Sequence, residues 1–378
     1  MTFRKQHQTY WLKRVQDLKK KKHIHHILMA AESFDGAFKV AYHEGSRDTK
    51  GTPIEADTPF MIASVTKLFI ATTILKLHEQ GKLDIMAPLY NYLDQALIAG
   101  IHVYKGKTHD QDLRLWHLLT HTSGIRDYIE IKDTNKQTIF DRVIKGEDQT
   151  FEIADMLQLL KDSKCAHFPP QAYDAPRKKA RYSDTNFQLL RAVIEQLTNA
   201  SCDTVFKQLI FEPLGMKQTF LPGSEDERAD KDVAELWVMT EPLNRPLALR
   251  SFGDYYSTTA DLITFMRHLM RGDLFDQAET LAMMMNDFHT FGVSISPVAP
   301  AWPIAYSKGM MRFNMPKLFS GFKRMPTAYG HTGVGSAFLF YVPELELILT
   351  GTVGQIRYTA LPFQWLPKVL IGLKNMSH

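Results

Sequence analysis

Cysteine and long apolar runs are scarce in this chain of 378 residues. Its two cysteines, Cys165 and Cys202, exclude a disulfide framework and a cysteine-rich zinc site. The favoured interpretation is two free thiols, although the sequence does not exclude a single disulfide between them. No stretch approaches the roughly 18 uninterrupted apolar residues of a membrane span. The N-terminus has no apolar run of the kind that a secretory signal needs, so we expect a cytoplasmic protein without a membrane partner.

An excess of one charge is also missing. The chain has 45 Lys and Arg against 41 Asp and Glu, which gives a net charge of +4. On a chain this long, that surplus is too small to favour nucleic acid as a partner. The basic run at residues 19–22 is explained by a solvated helix face, with docking of a partner as the alternative. Apolar residues are 44% and charged residues 23%, which excludes wholesale disorder.

Strand patterns occur at both ends of the chain. Residues 25–32 and 37–44 are strand-like and flank Asp35-Gly36, which predicts a hairpin. Beyond residue 304 the runs are again β-branched or aromatic, with turn signals between them. We therefore predict an α+β fold in which both chain ends build one antiparallel sheet, covered by the terminal helices.

Helical periodicity dominates the middle of the chain, where loops rich in proline and charge separate the segments. This contrast predicts two domains. Residues 1–83 and 289–378 would form the sheet domain, and residues 84–288 would form a mainly helical domain inserted between them.

The first motif that could carry chemistry is the pair Ser64 and Lys67. A serine hydroxyl needs a nearby base to become a nucleophile, and residues i and i+3 share a face of a helix. We predict a helix that begins at about Ser64, where free N–H groups favour developing negative charge. Apolar neighbours predict that Lys67 is buried, which would lower its pKa and make it a base.

Tyr182-Ser183-Asp184, directly before a predicted helix, is the second candidate. A tyrosine beside a lysine ammonium would lose its proton more easily and could carry protons to a leaving group. The alternative is a plain helix cap made by Ser183 or Asp184.

The third candidate is His331-Thr332-Gly333, followed by a strand-like run. A strand edge beside the serine could offer the Val334 N–H to an oxyanion, together with the Ser64 N–H. His331 would add a polar group that can carry a charge. The alternative is a simple turn before a strand, for which Gly333 would suffice.

Three further observations bear on rival kinds of chemistry. Ser320 and Lys323 repeat the serine–lysine spacing, but Gly321 follows the serine and no helix pattern follows the pair. His117 and His121 have the spacing of zinc ligands on a helix, but they lack the glutamate of the metalloprotease pattern. No Gly-x-Ser-x-Gly pentapeptide occurs, which disfavours an α/β-hydrolase.

The three candidate motifs occur in one order, and this order resembles the serine β-lactamase-like hydrolases. The branch it resembles holds class C β-lactamases, D-alanyl-D-alanine carboxypeptidases, D-aminopeptidases and β-lactamase-fold carboxylesterases. Further runs that look like the same branch are DTPFMIASVTKLF, LWHLLTHTSGI, FEPLGM and YSTTADLITFM. The similarity covers roughly residues 25–355.

The resemblance implies a role for each matching residue. Ser64 matches the acylated nucleophile, Lys67 its general base or proton relay, and Tyr182 a second proton-transfer residue. The backbone N–H groups of Ser64 and Val334 match the oxyanion hole. No metal and no other cofactor is implied.

Two positions depart from the lactamase pattern. Asp184 stands where the lactamases usually have asparagine, so an amide donor is replaced by an acceptor. His331 stands where they usually have lysine, so a constant cation is replaced by a side chain that titrates near neutral pH. We therefore expect His331, Thr332, Gly333 and Asp184 to bind substrate, but with a poorer fit to a β-lactam.

The resemblance implies a serine hydrolase that cleaves a small ester, amide or lactam, with a carboxylesterase favoured. The alternatives are a D-alanyl peptidase or D-aminopeptidase, a weak class C-type β-lactamase, and a non-catalytic binding protein on the same fold. The sequence does not fix the oligomeric state.

Overall fold

The computed structural model describes residues 5–223, 232–291, 304–314 and 324–376. Strands from both ends of the chain form an eight-stranded antiparallel sheet. The strands of this sheet are β1 (His26–Ser33), β2 (Lys39–Gly45), β9 (His289–Thr290), β10 (Ile304–Tyr306), β11 (Met311–Phe313), β12 (Ala328–Thr332), β13 (Phe338–Val342) and β14 (Leu347–Thr352). Their order across the sheet is β2-β1-β14-β13-β12-β11-β10-β9. Three two-stranded ladders are built from β3 (Phe60–Met61) with β8 (Tyr256–Ser257), β4 (Val103–Tyr104) with β5 (Lys107–Thr108), and β6 (Trp237–Val238) with β7 (Glu241–Pro242).

Helices fill most of the chain between β3 and β9. The α-helices of the described residues are α1 (Lys5–Gln16), α2 (Lys67–Glu79), α3 (Gln95–Ile98), α4 (Leu115–Leu119), α5 (Ile139–Ile144), α6 (Ile153–Ser163), α7 (Asp184–Thr198), α8 (Cys202–Phe206), α9 (Glu212–Leu214), α10 (Pro246–Phe252), α11 (Thr259–Arg271), α12 (Ala278–Met284) and α13 (Leu361–Asn375). Among them, none is both long and apolar enough to cross a membrane.

The predicted α+β fold with an antiparallel sheet is confirmed. Strands β1 and β2 form the predicted hairpin, in which Gly36 takes the left-handed conformation (φ +78°) and its N–H donates to the Ser33 carbonyl. Strand β1 also pairs with β14, so the two ends of the chain meet in one sheet. The division into a sheet domain and a helical domain stays a prediction.

The terminal helices α1 and α13 pack together beside the sheet. The Trp365 indole N–H donates to the Arg14 carbonyl at 3.1 Å, and the Tyr10 hydroxyl donates to the Lys368 carbonyl at 3.0 Å. The Trp365 ring also contacts Phe338 on β13, with the ring centres 6.1 Å apart. The helix patterns at the two ends of the chain therefore correspond to two helices that pack against the sheet.

Helix α2 is the central helix of the site. It contacts strand β12 on one side and helices α7, α8 and α12 on others, and most of its residues are buried. Phe69 anchors it in an aromatic cluster, with ring centres 4.6 Å from Phe265 and 5.2 Å from Phe211. Gly81 follows its end with φ +67°, as expected for a glycine that terminates a helix. A helix buried on all sides holds its first residues in a fixed position.

Candidate active site

A short ladder holds the turn that carries Ser64. Strand β3 pairs with β8, and just beyond the ladder the Ile62 N–H donates to the Tyr255 carbonyl at 2.9 Å. Ala63 then takes φ +47°, a left-handed conformation that non-glycine residues seldom adopt. The segment Ala63–Thr66 is a 3-10 turn that continues into α2, so the predicted helix start at Ser64 is 3-10 rather than α-helical.

Two side chains meet at the Ser64 Oγ. The Lys67 Nζ donates to it at 2.9 Å from one turn further on, and the Tyr182 hydroxyl donates to it at 2.9 Å from the segment before α7. Ser64 is partly exposed, whereas Lys67 is buried with 6% of its surface exposed. The three residues predicted to be catalytic are thus brought together around one oxygen atom.

Asp184 joins the same cluster. Its Oδ1 lies 2.5 Å from the Lys67 Nζ and 3.2 Å from the Tyr182 hydroxyl. The prediction of a lowered pKa for Lys67 is wrong. Burial does favour the neutral amine, but the Asp184 carboxylate outweighs it, and the pKa of Lys67 is raised. In the resting site Lys67 is therefore an ammonium ion at neutral pH.

The pKa of Tyr182 also moves against the prediction. Burial and the Asp184 carboxylate raise the pKa of Tyr182 well above its ordinary value, although the Lys67 Nζ lies 5.2 Å from the centre of its ring. An anion beside the phenol opposes a second negative charge there. The Tyr182 hydroxyl therefore keeps its proton in the resting site and can donate it.

The N-terminus of α7 positions this cluster. The Asp184 N–H donates to the Asp127 Oδ2 at 2.9 Å, so a side chain from another loop caps the helix. Burial and the nearby Asp184 raise the pKa of Asp127 well above its usual range. The alternative prediction, a cap made by the Ser183 or Asp184 side chain, is wrong: Ser183 is the N-cap residue but its side chain forms no capping hydrogen bond, and the Asp184 side chain contacts Lys67 instead.

His331 lies in a different place from the one expected. It belongs to strand β12, which was not predicted, and not to a turn before a strand. Its Nδ1 donates to the Thr332 carbonyl at 2.6 Å, and its Nε2 accepts from the Tyr306 hydroxyl at 3.1 Å. Only 1% of its surface is exposed, and burial together with the charge of Lys67 lowers the pKa of His331 to about 3. His331 is thus a neutral, internal side chain and not a group that titrates near neutral pH.

Because His331 is buried, His331→Lys should destabilise the fold instead of supplying a cation to the substrate. A lysine there would place a charge among Tyr306, Tyr182 and Lys67, and we expect a loss of about 2 kcal/mol or more in the free energy of unfolding. Thermal unfolding followed by circular dichroism at pH 7.5 measures this loss.

The matched control for that substitution is His43→Lys, which places the same change on an exposed strand position and should leave the melting temperature nearly unchanged. The internal placement of residue 331 would be refuted if the His331→Lys protein had the melting temperature of the wild type and a higher ratio of β-lactam to ester turnover. The side chain would then reach the substrate.

The two N–H groups expected to bind an oxyanion lie on neighbouring turns. Within the described residues, neither the Ser64 N–H nor the Val334 N–H donates a hydrogen bond, and both residues line one cavity. Gly333 sits against the nucleophile turn, where an added Cβ would lie 2.9 Å from the Ala63 Cβ and 3.1 Å from the Ser64 nitrogen. Only glycine allows this close approach, which keeps Val334 beside Ser64.

This cavity opens beside Ser64 and has mainly apolar walls. Its charged lining residues are Lys67, Asp184, Arg191 and Asp254. Of the residues predicted to bind substrate, Asp184 lines the cavity, whereas His331, Thr332 and Gly333 are buried and are not among its lining residues. The third motif therefore contributes backbone and packing more than side chains.

Sequence reasoning missed two residues near the nucleophile. Asp254 follows the glycine that ends α10 and immediately precedes Tyr255, and no pattern linked it to Ser64. For His121 the resemblance implies a structural residue in a run beside the catalytic cleft, but its contacts were not predicted: its ring centre lies 4.6 Å from that of Tyr182 and its Nδ1 accepts from the Asn186 amide at 2.9 Å. His121 thus supports Tyr182 from behind.

The paired histidine, the two cysteines and the second serine–lysine pair lie apart from this cluster or outside the described residues. Both ring nitrogens of His117 form hydrogen bonds to the backbone, at 3.0 Å to the Arg114 N–H and 2.8 Å to the Gln171 carbonyl. In the described part of the chain, no group of three or more His, Cys, Asp or Glu side chains could hold a metal ion. Cys165 is exposed and Cys202 is buried, and neither is in a disulfide. The second serine–lysine pair, residues 320 and 323, lies outside the described residues.

Comparison with known proteins gives consistent matches. The Beta-lactamase family model matches residues 28–353. The D-alanyl-D-alanine-carboxypeptidase/endopeptidase AmpH of Escherichia coli K12 is 26% identical over 318 residues, which is 83% of this chain and 75% of that protein. Esterase EstB of Burkholderia gladioli is 27% identical over 184 residues, 47% of this chain and 42% of that protein. The D-amino acid amidase of Ochrobactrum anthropi, solved with L-phenylalanine amide, superposes with a TM-score of 0.75 at 18% identity over 99% of this chain and 100% of that one.

Proposed function

Because this chain belongs to the β-lactamase family and is a serine hydrolase, we propose that it cleaves a small ester or amide through an acyl-enzyme on Ser64. The observation that carries the proposal is the pair of 2.9 Å hydrogen bonds that Lys67 and Tyr182 donate to the Ser64 Oγ. A nucleophile held between two proton-carrying side chains, at the mouth of a cavity, is the arrangement that acyl transfer needs.

The contacts of Asp184 support a specific route for the proton. Lys67 begins as an ammonium ion, so it can take the Ser64 proton only while it gives one of its own to the Asp184 carboxylate, 2.5 Å away. Tyr182 can then give its proton to the leaving group and recover one from Asp184 across 3.2 Å. In this route Lys67 and Asp184 regain their starting charges, and the three proton transfers within the cluster follow existing contacts. The fourth transfer, from Tyr182 to the leaving group, needs the bound substrate.

The free N–H groups of Ser64 and Val334 are the proposed oxyanion hole. They lie at adjoining turns and line the same cavity, so a carbonyl oxygen that develops negative charge near Ser64 can accept from both. Backbone donors of this kind are fixed by the fold, which here depends on the close packing of Gly333 against Ala63.

The charges around the cavity favour a substrate without a free carboxylate. Lys67 is neutralised by Asp184, and His331 is buried and neutral, so neither supplies a cation for a β-lactam or for a peptide C-terminus. The third candidate cation, the Arg191 guanidinium, already donates to the Gln188 Oε1 at 2.8 Å and to the Ser251 carbonyl at 3.2 Å. A carboxylate would also approach the charge of Asp254. These groups support an ester or amide hydrolase over a lactamase, with a carboxylesterase as the first choice.

A panel of ester, lactam and peptide substrates at matched concentrations tests this proposal. We expect kcat/KM for short-chain p-nitrophenyl esters to exceed that for nitrocefin and for a D-alanyl-D-alanine peptide by about 10-fold to 100-fold, because one charge-assisted hydrogen bond to a carboxylate is missing. All substrates should be measured at pH 7.5 and at equal concentrations below KM, with spontaneous hydrolysis subtracted.

Two results of that panel would contradict the proposal. Preference for nitrocefin over every ester would favour a β-lactamase, and preference for the D-alanyl peptide would favour a carboxypeptidase. Absence of turnover of every substrate, together with failure of Ser64 to react with an acylating agent, would favour a binding protein on the same fold.

A further inference from the structure

One carboxylate in the cavity is not used by the proton-transfer cluster. Asp254 lines the cavity together with Ser64 and Lys67. Within the described residues, no side chain or backbone group forms an ion pair or hydrogen bond with its carboxylate. Asp254 is half-buried. A carboxylate that is partly withdrawn from water without a partner is costly, and its position in the cavity of the nucleophile points to a ligand.

The register of the β3–β8 ladder explains why Asp254 stands there. Met61 pairs with Tyr256, and the Ile62 N–H donates to the Tyr255 carbonyl at 2.9 Å. One step further along the two antiparallel segments, Asp254 comes opposite the turn that leads into Ser64. The ladder that holds the nucleophile therefore also places this carboxylate, so their relative position is fixed by backbone pairing.

The cations near Asp254 are already engaged. Lys67 is paired with Asp184 at 2.5 Å. Arg191, the other cation of the cavity lining, donates to the Gln188 Oε1 at 2.8 Å and forms no ion pair with Asp254. The charges of Lys67 and Arg191 act on Asp254 only from a distance, so its carboxylate can accept a further cation.

We propose that Asp254 binds an ammonium group of the substrate, so that the site takes amine-bearing esters or amides such as amino-acid esters and amino-acid amides. The inference rests on the proposed acyl transfer at Ser64 and specifies its substrate class. An ammonium ion would pair with the carboxylate in a cavity whose walls are mainly apolar, where such a contact is stronger than in water. The same walls would hold an apolar side chain.

The ionisation of Asp254 is compatible with this role. Burial raises the pKa of Asp254 to about 6; Asp184 acts in the same direction, while Lys67 and Arg191 oppose it. The carboxyl group is therefore ionised at pH 7.5 and can pair with an amine. A carboxylate kept charged in an unfavourable place is the kind of stability cost that functional sites carry.

The test compares substrates that differ only in the amine. Phenylalanine methyl ester, as each enantiomer, is compared with methyl 3-phenylpropanoate, which has the same acyl skeleton without the amino group. For the wild type, we expect kcat/KM for one or both enantiomers of the amine-bearing ester to exceed kcat/KM for the amine-free ester by more than about 10-fold. Asp254→Asn should lower that ratio by about 10-fold to 100-fold, the loss of one ammonium–carboxylate contact.

The control is Glu279→Gln, which removes the same charge from an exposed position on α12 and should keep the wild-type ratio. A wild-type ratio of one or less, or a ratio that Asp254→Asn leaves unchanged, would overturn the ammonium site. If the amine-free ester is still cleaved and Ser64 is still acylated in that case, the proposed function survives and only this inference fails.

A second measurement uses the wild type alone, in case Asp254→Asn does not fold. Phenethylamine and 2-phenylethanol have nearly the same shape, but only the amine is a cation at pH 7.5. Both compounds are tested as competitive inhibitors of ester hydrolysis. We expect the inhibition constant of the amine to be at least about 10-fold lower than that of the alcohol. Equal inhibition, or tighter binding of the alcohol, would contradict the proposal.

Discussion

Ser64→Ala should lower kcat by about 10⁴-fold or more against any ester that the wild type cleaves, because the oxygen that attacks the carbonyl is lost. The Lys67 and Tyr182 contacts converge on that oxygen at 2.9 Å each, so without it they have no group to activate. The oxyanion N–H groups would remain, which explains why a small residual rate over water is expected.

Covalent labelling makes this prediction specific. A fluorophosphonate should add one label to the wild type, and mass spectrometry after proteolysis should find it on the peptide that contains Ser64. The matched control is Ser320→Ala, from the second serine–lysine pair, which should be labelled like the wild type. Label on Ser320, or unchanged labelling of Ser64→Ala, would refute the assignment of the nucleophile.

The fold could be predicted because its signals are local and strong. The hairpin at Asp35-Gly36 and the amphipathic or apolar helices have clear periods, and the order of strands and helices along the chain limits the possible sheets. Strand β12, Ala328–Thr332, escaped because it is short, contains Gly330 and follows no alternation of polar and apolar residues. Residues 328–332 become a strand because they pair with β11 and β13, and this pairing leaves no pattern within the five residues themselves.

The residues around the nucleophile could be named, but their charge states could not. The spacing of Ser64 and Lys67 and the position of Tyr182 in the motif order were sufficient to bring them together. The direction of the pKa shift of Lys67 depends on the 2.5 Å contact with Asp184, which lies far away in sequence. A pKa is set by three-dimensional neighbours, so burial inferred from sequence alone gave the wrong sign.

Asp254 shows a second limit of sequence reasoning. Its place beside Ser64 follows from the register of two-residue strands, β3 and β8, which are too short to produce a recognisable period. In contrast, the importance of Gly333 could be anticipated from its motif, and the structure supplies the reason, a close approach to Ala63. Backbone proximity of this kind is invisible until the sheet is assembled.

Lys67→Ala and Tyr182→Phe should each lower kcat by about 10²-fold to 10⁴-fold, the usual contribution of general acid–base catalysis. Since both side chains contact the Ser64 Oγ and the Asp184 Oδ1, removal of either one interrupts the same proton route. The double variant should therefore lose far less than the product of the two single losses.

Steady-state kinetics of the four proteins with one p-nitrophenyl ester, at pH values from 6 to 10, provide the measurement. Lys82→Ala and Tyr173→Phe, both at exposed positions, are the controls for the loss of an amine and of a hydroxyl. Losses that multiply would show that Lys67 and Tyr182 act independently and would contradict a shared route.

The dependence of the rate on pH tests the charge of Lys67. Asp184→Asn removes the anion that raises the pKa of Lys67, so burial then lowers that pKa. In that variant Lys67 becomes a neutral amine at a lower pH than in the wild type, and the limb of the rate profile that reports its deprotonation should move toward acid; a limb that stays in place would mean that Asp184 does not control the charge of Lys67.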